Sequence, residues 1–232
     1  MKRQLIGSKH IIKQERGHAF NIDTVLLAHF LKIPYRVKQI IDVGTGNGAL
    51  ALYLSELTSA KIIGIEIQEK RCQLVLDNVA LNNLENQIEI VCQDYLTTTF
   101  HHVDVIVCNP PFFKVSENSR LNLDEATMMA RHEVALPLEK LIAKVSSDLK
   151  DGGKFFMIHR PSRLFEIAQL CHDHHLAIKR VRFVHPYLHK PANHVLIECR
   201  KNGEQEISLE APLILYESHH EYTEEAKKIF ME

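Results

Sequence analysis

No stretch of this chain approaches the run of about 20 apolar residues that a membrane-crossing helix needs, and Met1-Lys2-Arg3-Gln4 is charged rather than signal-like. The expected location is therefore the cytoplasm. Charge of one sign is also missing. Lys and Arg total 28 against 29 Asp and Glu, a net charge of -1, so composition selects no partner and any nucleic-acid surface must come from local clustering. The five cysteines, Cys72, Cys92, Cys108, Cys171 and Cys199, form no CxxC pair and mostly fall in apolar segments, which predicts buried, reduced thiols. His172-Asp173-His174-His175 has no zinc-type spacing beside it, so no metal is expected. Internal repeats, low-complexity tracts and linkers are absent as well. With 232 residues, 45% of them hydrophobic, the chain reads as one domain over 1–232 with one sizeable core.

What is present alternates. Ile22, Val25, Leu26 and Phe30 fall at helical spacing, with Asn21 or Asp23 placed to cap and Pro34 to stop the helix. From residue 39 the pattern predicts strand 39–43, helix 49–57, strand 61–67, helix 69–82, and strands 87–92 and 103–108. On the second of these helices Cys72, Leu76 and Val79 share a side. A polar segment, 113–131, is read as a substrate-facing flap or a surface loop. A helix over 137–149, stopped by Gly152-Gly153, precedes a strand over 154–159 and a helix over 163–174. Two strand-like runs, 177–184 and 194–200, are expected to pair antiparallel. Alternation of this kind implies a parallel sheet covered by helices. The tail after Lys201 reads as turn and surface.

Two turns carry chemistry-bearing residues. Asp42-Val43-Gly44-Thr45-Gly46-Asn47-Gly48 follows the first strand of the alternation, where glycines let a backbone approach a ligand and the next helix offers free N–H groups. Glu66, with Ile67 beside it, ends the second strand, where a carboxylate can accept ribose hydroxyls. Gly44, Gly46 and Ala49 also satisfy a dinucleotide fingerprint, so a nicotinamide dehydrogenase stays open at this point. Asp42 opposes a pyrophosphate and suits a cationic amino-acid group instead. Gln93-Asp94-Tyr95 offers an acceptor and a ring to an adenine, or is simply a strand-ending turn.

The second turn is Asn109-Pro110-Pro111-Phe112, directly after the apolar run 103–108. Two prolines cannot continue a strand, because neither has an N–H to donate. The Asn109 side-chain oxygen and the Pro110 carbonyl are two acceptors, and Phe112 offers a face for stacking. Acceptors holding both N–H bonds of an exocyclic amine help localise its lone pair toward an electrophile without a strong base.

With these residues in hand the chain resembles class I S-adenosylmethionine-dependent methyltransferases bearing an [NDS]-P-P-[FYW] motif. More closely, it is similar to the tRNA adenine-N6 methyltransferases acting on adenine 37 of a valine tRNA. The resemblance runs through 17–23 with 26–28, then 42–48, 109–112, Arg131-His132-Glu133, and Arg182-Phe183-Val184-His185-Pro186. It implies a Rossmann-like α/β fold: a seven-stranded, mostly parallel sheet with a C-terminal antiparallel strand and helices on both faces. Within it, 1–35 is an N-terminal helical segment, 36–200 the core and 201–232 a tail. It further implies that Asp42, Gly44, Thr45, Gly46 and Gly48 hold the methionine part of S-adenosylmethionine. Glu66 and Ile67 take the ribose side, Asp94 and Tyr95 the adenine, and Phe20 to Asp23 border the cofactor. Asn109, Pro110, Pro111 and Phe112 act on a base swung out of its strand.

Similar motifs also serve ribosomal guanine amines, DNA adenines and a release-factor glutamine, since each is a planar conjugated amine. A non-catalytic nucleotide binder is the rival of another class. Only about forty residues precede Asp42, few for the extra domain that release-factor enzymes carry. Contacts to tRNA are expected from Lys114 in the polar segment, from Arg160 and Arg182 within a 154–200 segment that holds eight Lys and Arg against three acids, and from the basic residues of 1–20. A monomer is favoured.

Overall fold

The computed structural model describes residues 2–14, 22–110, 136–218 and 221–231. Its first elements form a small antiparallel hairpin, β1 (Lys2–Gln4) and β2 (Ile11–Lys13), followed by helix α1 (Ile22–Phe30). The alternation then runs β3 (Gln39–Val43), α2 (Ala49–Leu57), β4 (Lys61–Ile65), α3 (Glu69–Leu81), β5 (Ile88–Val91) and β6 (Val103–Cys108). After it come α4 (Leu138–Asp148), β7 (Leu149–His159), α5 (Leu164–Asp173), β8 (Leu176–Tyr187) and β9 (His194–Lys201). The chain closes with β10 (Ser208–Leu209), β11 (Leu213–Ser218), β12 (Glu221–Tyr222) and α6 (Glu224–Met231).

Strands β3 to β9 lie in the order 5-4-3-6-7-9-8. Neighbours from β5 to β7 pair parallel, whereas β9 runs antiparallel to both β7 and β8. The sequence reading of a mostly parallel sheet ending in an antiparallel pair therefore holds. The sheet is wider than the seven strands expected. β11 adds in parallel to the outer side of β8, β12 pairs with β11, and β10 pairs with β8.

Strict alternation along each strand divides the core in two. Ile40, Ile62, Val105, Val107, Phe156 and Ile158 face one cluster together with residues of α1, α2, α3 and α6. Ile41, Ile63, Ile106, Phe155 and Met157 face the other, covered by α4 and α5. Val103–Cys108 is buried at every position, with Asp104 accepting the Lys38 and Gln39 N–H groups, because a strand covered on both faces has no solvent side. Burying each such aliphatic or aromatic side chain contributes roughly 1.5–3 kcal/mol.

Several sequence expectations are corrected. The basic arm 1–20 is a hairpin where it is described, fixed to α3 by two asparagines. Asn78 exchanges hydrogen bonds with both backbone groups of Lys13 (2.7 and 3.1 Å), and Asn82 does the same with Ile11 (2.9 and 2.7 Å). The buried face of α3 is Cys72, Val75, Asn78 and Val79, while Leu76 lies exposed. Gly152-Gly153 does not stop a helix but sits within β7, which already begins at Leu149. The tail is not mere surface: Leu213, Leu215, Ala226 and Ile229 belong to the core. Cys72 and Cys92 are paired as a disulfide with Cα atoms 5.8 Å apart, against the expected free thiols, while Cys108, Cys171 and Cys199 are free and buried. Among the described residues no helix is long and apolar enough to cross a membrane.

Candidate active site

Four neighbouring strands end in register. Val43 pairs with Ile65 and with Cys108, and Ile65 pairs with Val91. Consequently the glycine turn, Glu66, the Cys92-Gln93-Asp94 turn and Asn109 all emerge side by side at one edge, from strands spaced about 4.8 Å apart. β7 is the next strand out, pairing Met157 with Cys108, and it delivers His159 and Arg160 to the same edge. The strand order reverses between β3 and β6, the place where open parallel sheets leave a crevice for ligands.

The glycines of the turn do different jobs. Gly44 and Gly46 have φ of +71° and +62°, and a Cβ at either meets no neighbour closer than 3.9 Å, so the backbone there is open to a ligand. Gly48 has φ +84°, but a Cβ on it would stand 2.6 Å from Val75 Cγ2; it lets α2 start against α3. Thr45 ties the turn to its neighbour strand through its N–H to the Ile65 carbonyl (2.9 Å).

Asp42 is fully buried beneath the turn and accepts a hydrogen bond from the Thr45 hydroxyl at 2.6 Å. Burial pushes its carboxyl up to about 7, with Thr45 opposing the shift and the nearby Glu66 adding to it. A buried carboxyl so poised is a receptor for a cationic group. Glu66, one residue past β4, receives the N–H groups of Gly46 (3.0 Å, Oε2) and Gln68 (2.9 Å, Oε1). Each oxygen keeps a second lone pair for a hydroxyl. Ile67 beside it is half exposed. Asp94 caps the short helix Tyr95–Thr97 through Oδ1 to the Leu96 N–H (2.9 Å). This donor set, one buried carboxyl at an open glycine cradle with two more carboxylates along the same edge, fits a ligand with an ammonium group, a ribose and a base.

Three expected residues are placed otherwise. Tyr95 does not flank an adenine: its ring is buried in the core, its hydroxyl donates to Asp148 (2.8 Å), and Lys144 Nζ stands 5.1 Å from the ring centroid. Asp23 is buried, and its carboxylate pairs with His194 Nε2 at 2.8 Å. Arg182 is held by the tail, donating to the Ala211 carbonyl (3.0 Å) and to Glu225 (2.6 Å), so it offers no open cation to RNA. Part of the local positive charge of 154–200 is answered in the same way. Lys154 and Arg180 meet Glu198, Arg180 also meets Glu210, and Arg163 meets Glu166. Among the described residues expected to contact RNA, Arg160 stands at the crevice edge, with Nη1 donating to the Asn193 carbonyl (2.9 Å). Phe20, Pro111, Phe112, Lys114 and the 113–131 segment lie outside the described residues.

Two residues at this edge had not been expected. His159 ends β7 buried, its imidazole lowered to about 4 by burial and by the Arg163 charge, and its Nδ1 accepts the Arg160 N–H (2.8 Å). Thr24, in the first turn of α1, meets Asn109: the amide Nδ2 donates to the hydroxyl oxygen at 3.1 Å.

A parallel sheet with a reversed last hairpin, a glycine turn after β3 and an Asn-Pro loop after β6 define a Rossmann-like class I methyltransferase fold. Solved structures agree. A protein of Agrobacterium tumefaciens described as a predicted O-methyltransferase superposes with a TM-score of 0.70 at 21% identity, over 90% of this chain and 95% of the other. The geranyl diphosphate C-methyltransferase of Streptomyces coelicolor gives 0.58 at 12% identity, over 77% and 78%. In sequence, the family described as "Methyltransferase small domain" matches residues 18–167. A tRNA1(Val) (adenine(37)-N6)-methyltransferase of Bacteroides thetaiotaomicron is 32% identical over 216 residues, 90% of this chain and 87% of the relative. The enzyme of the same name from Porphyromonas gingivalis is 34% identical over 167 residues, and there the match spans 69% of this chain and 64% of the relative. The chain belongs to the methyltransferase small domain family and, within it, to the family of the tRNA1(Val) (adenine(37)-N6)-methyltransferases.

Proposed function

We propose that this protein transfers the methyl group of S-adenosylmethionine to the N6 amine of an adenine in tRNA, the target being adenine 37 of a valine tRNA, for which its relatives are named. The observation that carries the reading is the shared register of the β3 and β6 ends, which sets the Asp42 turn and Asn109-Pro110 on adjacent strands. When bound, S-adenosylmethionine supplies an electrophilic methyl group on a sulfonium sulfur.

The chain's own residues do the rest. Asp42 receives the ammonium of the methionine part, and Gly44 and Gly46 let the main chain approach it. Glu66 offers its remaining lone pairs to the ribose, with Ile67 beside it and Asp94 at the adenine end. Asn109 Oδ1 and the Pro110 carbonyl accept the two N–H bonds of the target amine, aiming its lone pair along the line of transfer. Because the amine loses its proton only after attack, two neutral acceptors suffice and no strong base is required. Phe112 stacks on the extruded base. The site then works in the cytoplasm, where it meets tRNA.

The test is incubation of the purified protein with methyl-labelled S-adenosylmethionine and separate pools of unmodified tRNA, ribosomal RNA, DNA and release factor, followed by digestion of the product. N6-methyladenosine from the tRNA pool is the expected outcome. Label in methylguanosine, in DNA or in glutamine would overturn the substrate assignment while leaving the fold and cofactor untouched.

A further inference from the structure

We infer that Thr24 is a positioning residue for Asn109, supplying the one hydrogen-bond acceptor that the productive orientation of the Asn109 amide requires. The inference rests on the reading of Asn109 given above. A side-chain amide has two nearly isosteric ends, an oxygen that accepts and an NH2 that donates. A target amine presents only N–H donors, so the amide must turn its oxygen toward it; the opposite orientation sets donor against donor. In the productive orientation the NH2 points away from the target and needs an acceptor of its own.

Thr24 Oγ1 stands at that place, 3.1 Å from Nδ2, across 85 residues of sequence. Both groups are shielded, Thr24 being 8% exposed and Asn109 half-buried, so water is a poor substitute. The hydroxyl is also held still. The preceding residue, Asp23, pairs with His194 Nε2 at 2.8 Å, both side chains buried, and this fastens the first turn of α1 to the start of β9. The rest of α1 is anchored by Val25, Leu26 and Leu27 in the core. Thr24 Oγ1 is therefore an acceptor held in place for the Asn109 NH2 before substrate arrives. That is what preorganisation of a site demands of its supporting residues.

Thr24→Val keeps the shape and removes the acceptor, leaving an NH2 against a methyl group. Thr24→Ser keeps the oxygen. In single-turnover transfer to unmodified tRNA, Thr24→Val should lower the rate on the order of ten- to a hundredfold, the usual consequence of one unsatisfied shielded donor. The KM for tRNA and the affinity for S-adenosylmethionine should stay near wild type, and Thr24→Ser should recover most of the rate. In an Asn109→Ala background Thr24→Val should have little further effect. A readout free of turnover is the side-chain NH2 pair of Asn109 in 15N NMR of the apoprotein, which should move in Thr24→Val and much less in Thr24→Ser.

The inference falls if Thr24→Val transfers at the wild-type rate, if it slows the Asn109→Ala protein by the same factor, or if the Asn109 NH2 signals do not respond. Failure of the underlying reading looks different, since the wild-type protein itself would then leave tRNA unlabelled.

Discussion

The Asn78 side-chain amide donates to the Asn47 carbonyl at 2.8 Å, joining helix α3 to the glycine turn. The same fully buried amide also holds both backbone groups of Lys13. One side chain thus clamps the hairpin, α3 and the turn expected to hold the cofactor. Asn78→Ala leaves three backbone groups without their partner, which should cost at least about 2 kcal/mol and lower Tm by roughly 4–8 °C for a chain of this size. Because the turn loses its tether to α3, cofactor affinity should fall as well. Thermal denaturation with and without S-adenosylhomocysteine checks both. A Tm loss with unchanged ligand-induced stabilisation would mean the turn stands without Asn78.

Asp42 makes cofactor binding depend on pH. Its carboxyl is raised by burial to about 7, far above its value in an unfolded chain. The proton is then held more tightly folded than unfolded. The stability this gives the ligand-free protein is full at acid pH and is lost as pH rises through about 7. The ammonium of the ligand favours the ionised form, so affinity for S-adenosylmethionine should strengthen as pH rises through the same range. Asp42→Asn should bind weakly at every pH, with a flat profile, and its ligand-free form should gain Tm relative to wild type above pH 7. Calorimetric titrations on either side of that pH decide it. A wild-type profile with no slope would remove Asp42 from the ammonium site.

Most strand and helix boundaries were legible because period and punctuation agreed: Gln39–Val43, Ala49–Leu57 and Val103–Cys108 are bounded as read. The residues gathered at the strand ends were legible for the same reason, since a motif after a strand must emerge at the carboxyl edge. What escaped depended on long-range pairing, which local pattern does not carry. Tyr95 looks like a rim aromatic until Asp148, 53 residues on, claims its hydroxyl. Arg182 looks like a free cation until the tail returns with Glu225. The strands of the tail are short and partly exposed, so their period is weak. Asn78 did leave a trace, a lone asparagine on the apolar stripe Val75-Asn78-Val79, and a polar residue in such a stripe is a partner-seeking one. Thr24 left none, because threonine in the first turn of a helix is unremarkable.

Arg180 joins the added strands to the core, and its removal should be among the costliest single changes away from the crevice. The guanidinium lies over Phe30, 3.8 Å from the ring centroid, and donates to Glu198 (2.8 Å), Glu210 (2.9 Å) and the Phe30 carbonyl (2.6 Å). A lysine cannot serve three acceptors in that planar arrangement, so Arg180→Lys should not rescue it. Breaking a buried pair costs about 3–5 kcal/mol. Arg180→Met should fall at the low end, because Lys154 still faces Glu198 at 2.7 Å. The urea midpoint is the measurement, and a shift equivalent to less than about 1 kcal/mol would show that the pair is offset by its own desolvation.

Asn109 separates chemistry from binding. It follows β6 at the crevice edge, and the reading above gives its oxygen to the target amine rather than to the cofactor. Asn109→Ala should therefore reduce methyl transfer on the order of a hundredfold or more, as removal of one preorganised polar group does elsewhere, while S-adenosylmethionine affinity changes little. Asn109→Asp keeps an acceptor at the same place, and there the Thr24 hydroxyl can turn to donate. It should retain more activity than the alanine variant, despite the charge it adds. Single-turnover transfer beside a ligand titration distinguishes these outcomes. Equal losses of transfer and of cofactor affinity in Asn109→Ala would assign the loop to shaping the crevice, and an aspartate no better than alanine would deny the oxygen its role.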